Sequence, residues 1–170
     1  MADKYLQRNS TTGRVTEVTA TVTGGTGSEA GKIVGLDGSG RLDTTIMPVG
    51  VTADTYSGTA SEALTAGDFV YIAVTTGEVA KASATSGGNT ADGFVLSSSA
   101  SAASALVYFE GRNTALSGLT VGARYYLSDS VPGGVTTTPV TGAGKRHQYI
   151  GKAITTTSIA YEADDGITLA

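Results

Sequence analysis

Apolar and polar residues alternate with a period of two along many short stretches of the chain, which predicts β-strands. Turns containing glycine or proline separate these stretches, and no segment shows a helical period. Many short strands with frequent turns are typical of an all-β fold, here a small β-barrel or sandwich. The strand candidates are Phe69–Val74, Glu78–Ala82, Gly93–Leu96, Leu106–Glu110, Arg124–Ser128, Gly134–Thr138, Tyr149–Ile154, Ser158–Tyr161 and Ile167–Leu169.

An internal repeat runs through this part of the chain. LTAGDFVYI (Leu64–Ile72) parallels LTVGARYYL (Leu119–Leu127), and each is followed by two hairpin patterns. Gly67 and Gly122 occupy the same place in the L-T-x-G motif, where a tight turn requires a positive φ. The repeat predicts two similar four-strand units.

The first 50 residues differ in character from residues 51–170, and we place a domain boundary between them. One alternating strand stands out, Val15–Val22, with Val18, Ala20 and Val22 on one face. The segment has too little apolar material for its own core. We therefore expect an extended N-terminal arm that becomes ordered on another subunit or protein.

The glycine-rich stretch Gly31–Gly50 resembles a ligand loop but fails each spacing test. A P-loop would need a glycine where Thr26 stands and a hydroxyl where Ile33 stands. A calcium loop would place Arg41 at a ligand position and Pro48 at the closing carboxylate. We interpret the stretch as a linker with architectural rather than chemical function.

The residue types within the linker predict a short strand, a turn and an extended exit. Lys32–Leu36 reads as a short strand and Asp37–Gly40 as a turn. Pro48 biases Met47 towards an extended exit.

Charge and composition narrow the possible partners. Only 15% of the residues are charged, the net charge is −4, and there is no cysteine. The sequence has no basic stripe, so we expect no nucleic-acid partner. No apolar run approaches the length of a membrane span, so we expect no membrane partner. Disulfides and thiolate metal sites are excluded.

Catalytic groups are few. His147 is the single histidine and follows Lys145 and Arg146, with no acid spaced to orient it as a base. The acidic run YEADDG contains Glu162, Asp164 and Asp165, which fit turn chemistry better than a carboxylate pair. We expect no enzyme activity, no metal and no cofactor.

Several stretches resemble virion proteins of tailed bacteriophages. GKIVGLDGSGRLDTTIMPVGV (Gly31–Val51) is similar to an element G-K-[IV]-V-x-L-D-x-x-G-[RK]-[LI]-D that precedes a β domain in phage structural proteins. The resemblance extends over most of the chain through Ala60–Ile72, Asp92–Leu96, Val107–Ser128, Pro132–Pro139 and Asp164–Ala170. The group includes capsid decoration or cement proteins, head fibres and tail fibres.

The resemblance implies a non-enzymatic structural protein, made in the host bacterial cytoplasm and located on the outer capsid surface of the virion. Its expected partners are the major capsid protein and other copies of itself, as a homotrimer. The alternative is a tail or head fibre that contacts host-surface glycans. We expect the assembly contacts in the arm and linker, at Tyr5, Leu6, Arg8, Arg14, Val18, Val22, Ile33, Val34, Ile46 and Met47.

Overall fold

The computed structural model describes residues 4–24, 31–47, 53–162 and 164–170. Within these ranges the regular elements are strands and one turn of 3-10 helix, which confirms the all-β prediction. None of the described segments is a helix long and apolar enough to cross a bilayer. The chain divides into two compact units, Met1–Thr52 and Ala53–Ala170, and each is described by itself.

The strands, in chain order, are β1 (Lys4–Arg8), β2 (Val15–Thr19), β3 (Thr55–Thr59), β4 (Phe69–Ile72), β5 (Val79–Lys81), β6 (Gly93–Val95), β7 (Ser104–Tyr108), β8 (Gly111–Asn113), β9 (Arg124–Leu127), β10 (Val135–Thr136), β11 (Arg146–His147), β12 (Tyr149–Ala153), β13 (Ile159–Tyr161) and β14 (Ile167–Thr168). The 3-10 turn covers Thr44–Ile46.

The N-terminal unit is built on an antiparallel hairpin of β1 and β2. Its turn is held by Asn9, whose Oδ1 accepts the N–H groups of Thr11 and Thr12 at 2.9 and 2.8 Å. After β2, a parallel bridge joins Thr21 to Val34. The expected extended arm is therefore not confirmed, since its described residues pair with one another.

The C-terminal unit contains two five-stranded antiparallel sheets with the same connectivity. The first has the order β3-β7-β6-β4-β5 and the second β8-β13-β12-β9-β10. The prediction of four strands in each repeat is wrong by one strand. The missing strands, β3 and β8, are equivalent edge strands. Their sequences, TYSGT and GRN, hold little apolar material, so alternation does not reveal them.

The L-T-x-G motifs form the same turn in both repeats. Gly67 has φ +97° and Gly122 has φ +82°, which confirms the predicted positive φ. Thr65 O accepts the N–H of Asp68 at 3.0 Å, and Thr120 O accepts the N–H of Ala123 at 3.1 Å. The sequence repeat therefore corresponds to a structural repeat.

The first repeat encloses its own small core. Val70, Val95 and Val107 are fully or almost fully buried on the inner face of its sheet. A parallel bridge between Ala60 and Val79 connects the end of β3 to β5 and so joins the two edges of the sheet.

Among the described residues no such bridge joins the edges of the second sheet, which packs instead against the outer face of the first. Tyr161 contributes a ring that lies 5.8 Å from Phe69 and 5.7 Å from Phe94. Tyr125 and Ile159 of the second repeat belong to the same buried cluster. The two repeats are thus stacked head to tail, with the outer face of the first covering the inner face of the second.

Candidate functional site

The N-terminal unit has an unusual burial pattern. None of the residues 4–24, 31–43 and 45–47 is buried. Large apolar side chains lie exposed there instead, at Leu6, Val15, Val22, Ile33, Val34, Leu36 and Leu42. Burial of apolar side chains normally supplies the main favourable term in folding, so this unit leaves much of its apolar surface available for a partner.

One face of the hairpin is partly covered by the chain itself. Tyr5 and Val18 lie directly opposite each other and are half-buried. The Tyr5 hydroxyl accepts the N–H of Ile33 at 3.1 Å, which ties β1 to the segment after residue 30. Tyr5 and Val18 thus help to hold the unit together as well as bordering its surface.

The opposite face of the hairpin is open. Leu6 is 74% exposed and Val15 is 62% exposed. The β1–β2 register places them diagonally on one face, with Arg8 opposite Val15. An ion pair between Lys4 and Glu17, at 2.6 Å, borders them. An apolar centre with charged residues around it is typical of protein interfaces.

The linker presents a second apolar group. Val34, at the parallel bridge, is 41% exposed, and its neighbours Ile33 and Leu36 are 57% and 55% exposed. The predicted strand Lys32–Leu36 is reduced to the single bridge at Val34. These residues form an exposed apolar segment whose backbone is hydrogen-bonded to Thr21 and to the Tyr5 hydroxyl.

The turn after this segment is closed by its own aspartate. Asp37 Oδ1 accepts the N–H groups of Ser39 and Arg41 at 2.8 and 2.9 Å. Asp37 O accepts the N–H of Gly40 at 2.9 Å, which confirms the predicted turn. The carboxylate is engaged locally, as expected for an Asx-turn rather than a ligand loop.

Ile46 and Met47 end the described part of the linker and are half-buried. Asp43 Oδ1 accepts the N–H of Thr45 at 2.9 Å. It also accepts a hydrogen bond from the Thr45 hydroxyl, which lowers the pKa of Asp43. Gly24 N donates to Thr45 Oγ1 at 2.8 Å, so the 3-10 turn is held against the end of the hairpin segment. The expected extended exit at Pro48 lies outside the described residues.

The ten predicted contact residues therefore fall into distinct groups. Tyr5 and Val18 share the covered face of the hairpin, whereas Leu6 and Arg8 share the open one. Arg14, just before β2, and Val22, just after the bridge, are exposed. The structure adds Val15, Leu36 and Leu42. Val15 belongs to the alternating strand but lies on the face opposite Val18. The sequence prediction names contact residues only on the Val18 face of that strand, and so it does not include Val15.

His147 lies in β11, and its contacts are those of a strand residue. Its ring lies 5.3 Å from that of Tyr126, and it pairs with Ile167 across β11 and β14. The described contacts of His147 include no carboxylate. The side chain acts as a packing group at the edge of the second repeat.

A cavity of about 190 Å³ lies between Asp92, Tyr161, Asp164 and Asp165. The Tyr161 hydroxyl donates to the Ala91 carbonyl at 3.2 Å, and burial raises its pKa to about 12. Such a phenol stays protonated at neutral pH and cannot act there as a base. The described residues include no group of three histidine, cysteine or acidic side chains that could hold a metal ion.

Asp92 and Asp164 also have structural roles. Asp92 Oδ2 accepts the N–H of Ile72 at 2.8 Å, and Asp164 Oδ2 accepts the N–H of Tyr149 at 3.3 Å. The Asp164 bond reaches a strand and not its own turn, so the turn interpretation of the acidic run stays a prediction.

Comparison of the chain with known protein families, curated proteins and solved structures finds no match. The functional argument therefore depends on the residues themselves.

Proposed function

We propose that the chain is a non-enzymatic structural protein of a tailed-bacteriophage virion that binds the outer capsid surface and stabilises the head. The N-terminal unit provides the attachment surface, and the C-terminal unit projects from the shell. The major capsid protein is the main partner, and a homotrimer is the assembly state. The chain is made in the host cytoplasm and acts on the particle.

The observation that carries this proposal is the burial pattern of the N-terminal unit. Residues 4–24, 31–43 and 45–47 include no buried side chain, and Leu6, Val15 and Ile33 are each more than half exposed. Burying apolar surface contributes about 25 cal/mol per Å², so docking such side chains on a capsid supplies affinity that folding leaves unused. The phage resemblance of Gly31–Val51 supports the choice of partner.

Many weak contacts suffice for this function. A decoration protein is held at symmetry-related positions, and simultaneous engagement of several copies raises the overall avidity above that of one contact. A trimer would engage three N-terminal units at once. Native mass spectrometry of the purified protein tests this state directly, and a monomer at micromolar concentration would contradict it.

The decisive experiment measures binding to capsids from which the protein has been removed. Deletion of Met1–Thr23 should leave the C-terminal unit folded and abolish attachment. The double variant Leu6→Ser/Val15→Ser should weaken binding at least tenfold, because each buried aliphatic side chain contributes about 1.5–3 kcal/mol. A matched control, Val74→Ser/Val121→Ser, makes the same change at exposed positions of the C-terminal unit and should bind normally.

Truncated protein that still saturates stripped capsids would refute the attachment role of the N-terminal unit. The copy number of the protein in purified virions distinguishes a capsid decoration protein from a tail or head fibre. A ratio near one per major capsid subunit supports decoration, whereas a few copies per hundred subunits would place the chain on a tail or sparse fibre. Absence from virions would refute both locations.

A further inference from the structure

The outer face of the second repeat carries a row of cations that the strand register assembles. Arg124 on β9 lies opposite Lys152 on β12, Lys152 opposite Ala160 on β13, and Ala160 opposite Arg112 on β8. Residues directly opposite in an antiparallel sheet share a face. Arg112, Lys152 and Arg124 therefore form one line across the sheet, the cationic row, and all three are exposed.

The equivalent row of the first repeat has a different composition. Phe69 lies opposite Phe94, Phe94 opposite Tyr108, and Tyr108 opposite Thr55. Those aromatic residues pack against the second repeat. The cationic row replaces them on a face that the C-terminal unit leaves open.

The C-terminal unit has six lysines and arginines, and the three outside the row are each held by an oxygen atom. Lys81 pairs with Asp68 at 3.3 Å, Lys145 with Asp129 at 2.6 Å, and Arg146 donates to a backbone carbonyl at 3.0 Å. Within the described residues, no member of the cationic row makes an ion pair. The row is thus a line of three positive charges on a chain of net charge −4, and the carboxylate that acts on the adjoining Tyr149 is that of Glu162.

Stability alone does not explain this arrangement. Like charges directly opposite each other across two strands are destabilising, and Arg124 and Lys152 are such a pair. Lysine or arginine on an edge strand can prevent unwanted pairing, which accounts for Arg112 on β8. β9 and β12 are interior strands of the sheet, so that explanation does not extend to the other two.

Two tyrosines continue the same face beside the row. Tyr126 and Tyr149 lie opposite each other, with ring centroids 5.8 Å apart at an interplanar angle of 65°. The guanidinium of Arg124 lies 6.0 Å above the Tyr149 ring. Both tyrosines are half-buried, so each presents part of its ring and edge to solvent.

We propose that this face binds an acidic polysaccharide, with carboxylates on the cationic row and a sugar ring against the Tyr126–Tyr149 pair. Neighbouring strands lie about 4.8 Å apart, which is comparable with the length of one sugar unit. A linear uronate chain laid across the strands would therefore meet Arg124 and Lys152 on neighbouring strands and Arg112 two strands beyond Lys152. The edge-to-face tyrosines offer ring edges and hydroxyl groups to a sugar, but no parallel slot for a nucleic-acid base.

The test uses the full chain and three polymers at equal concentration of negative charge: polygalacturonate, polyaspartate and duplex DNA. Binding is measured by biolayer interferometry at low salt, with neutral dextran as the blank. We expect polygalacturonate to bind best, with affinity that falls as salt rises because charged contacts are screened. Arg124→Gln/Lys152→Gln should weaken this binding at least tenfold.

Two further variants identify the site and the ligand class. Arg8→Gln/Arg14→Gln removes the same charge from the N-terminal unit and should leave binding unchanged. Tyr149→Ala should weaken binding of polygalacturonate more than binding of polyaspartate. Equal or stronger binding of polyaspartate or DNA, or no effect of Tyr149→Ala, would overturn the polysaccharide assignment, as would absence of binding to polygalacturonate. The proposal does not depend on capsid attachment, which the stripped-capsid experiment tests separately.

Discussion

The equivalent glycines Gly67 and Gly122 allow backbone strain to be separated from steric contact. Both have positive φ in the same turn. A Cβ added at Gly67 would lie 2.5 Å from the carbonyl oxygen of Ala115, whereas a Cβ added at Gly122 would meet no atom within 4 Å. Gly67→Ala therefore introduces strain and a clash, and Gly122→Ala introduces strain alone.

The expected losses of unfolding free energy follow from the backbone strain and the steric clash. A left-handed conformation costs an alanine about 1–2 kcal/mol, and overpacking against a rigid neighbour costs about 1–3 kcal/mol more. We expect losses of about 1–2 kcal/mol for Gly122→Ala and about 2–5 kcal/mol for Gly67→Ala. Domain stabilities are about 5–15 kcal/mol, so both variants should still fold.

The assay is urea unfolding of the full chain, followed by far-UV circular dichroism because there is no tryptophan. With a denaturant slope of about 2 kcal/mol per M, the midpoint should fall by about 0.5–1 M for Gly122→Ala and about 1–2.5 M for Gly67→Ala. Asparagine tolerates the left-handed region better than alanine. Gly122→Asn should therefore be milder than Gly122→Ala, whereas at Gly67 asparagine should give little relief. Equal losses at the two positions would refute the contact argument.

Two further predictions concern pH. Burial raises the folded pKa of Tyr161 to about 12, so the stability present below pH 10 should decline as the pH rises towards 12, and Tyr161→Phe should flatten this decline in urea midpoints taken from pH 8 to 11. An identical decline in wild type and variant would contradict this. The hydrogen bond from Lys145 lowers the pKa of Asp129, so its stabilising contribution is present above about pH 4 and is lost as the pH falls through the lowered value. Asp129→Asn and Lys145→Gln should flatten the acid dependence to a similar extent, and a steeper dependence in either variant would argue against the pair.

Alternation in the sequence is sufficient to find the strands that bury apolar side chains. Each of the nine predicted strands of the C-terminal unit coincides with an observed one. Alternation fails at β3 and β8, where hydrogen bonding to β7 and β13 extends the sheet without a continuous apolar face, and at the two-residue strand β11. Backbone pairing depends on a partner strand that is distant in the chain. The local pattern of apolar and polar residues therefore does not predict it.

Close approaches between strands are equally hidden. A Cβ at Gly93 would lie 2.4 Å from the Tyr108 carbonyl oxygen, and one at Gly151 would lie 2.0 Å from that of Ala160. These glycines are equivalent in the two repeats, but their requirement becomes visible only when β6 and β12 are placed beside their partners.

The candidate sites are also predictable only in part from the sequence. The sequence predicts that the N-terminal segment lacks a core, because its composition is poor in large apolar residues, and the exposure of Leu6 and Ile33 agrees with that interpretation. It shows no basic stripe, yet three cations from β8, β9 and β12 form one row. The row depends on the register of four strands, one of which the sequence does not reveal.

The stacking of the repeats bears on why that row exists. Head-to-tail packing can continue indefinitely unless each end of the stack is terminated. At one end, the bridge between Ala60 and Val79 joins the edges of the first sheet, and its inner core is already buried. No open inner face then remains on the first repeat of another copy to receive the outer face of the second. Since closure already terminates the stack, charge on the outer face is not needed for that purpose. Arg124 and Lys152 form no ion pair within the described residues, and the acidic ligand proposed above would supply one.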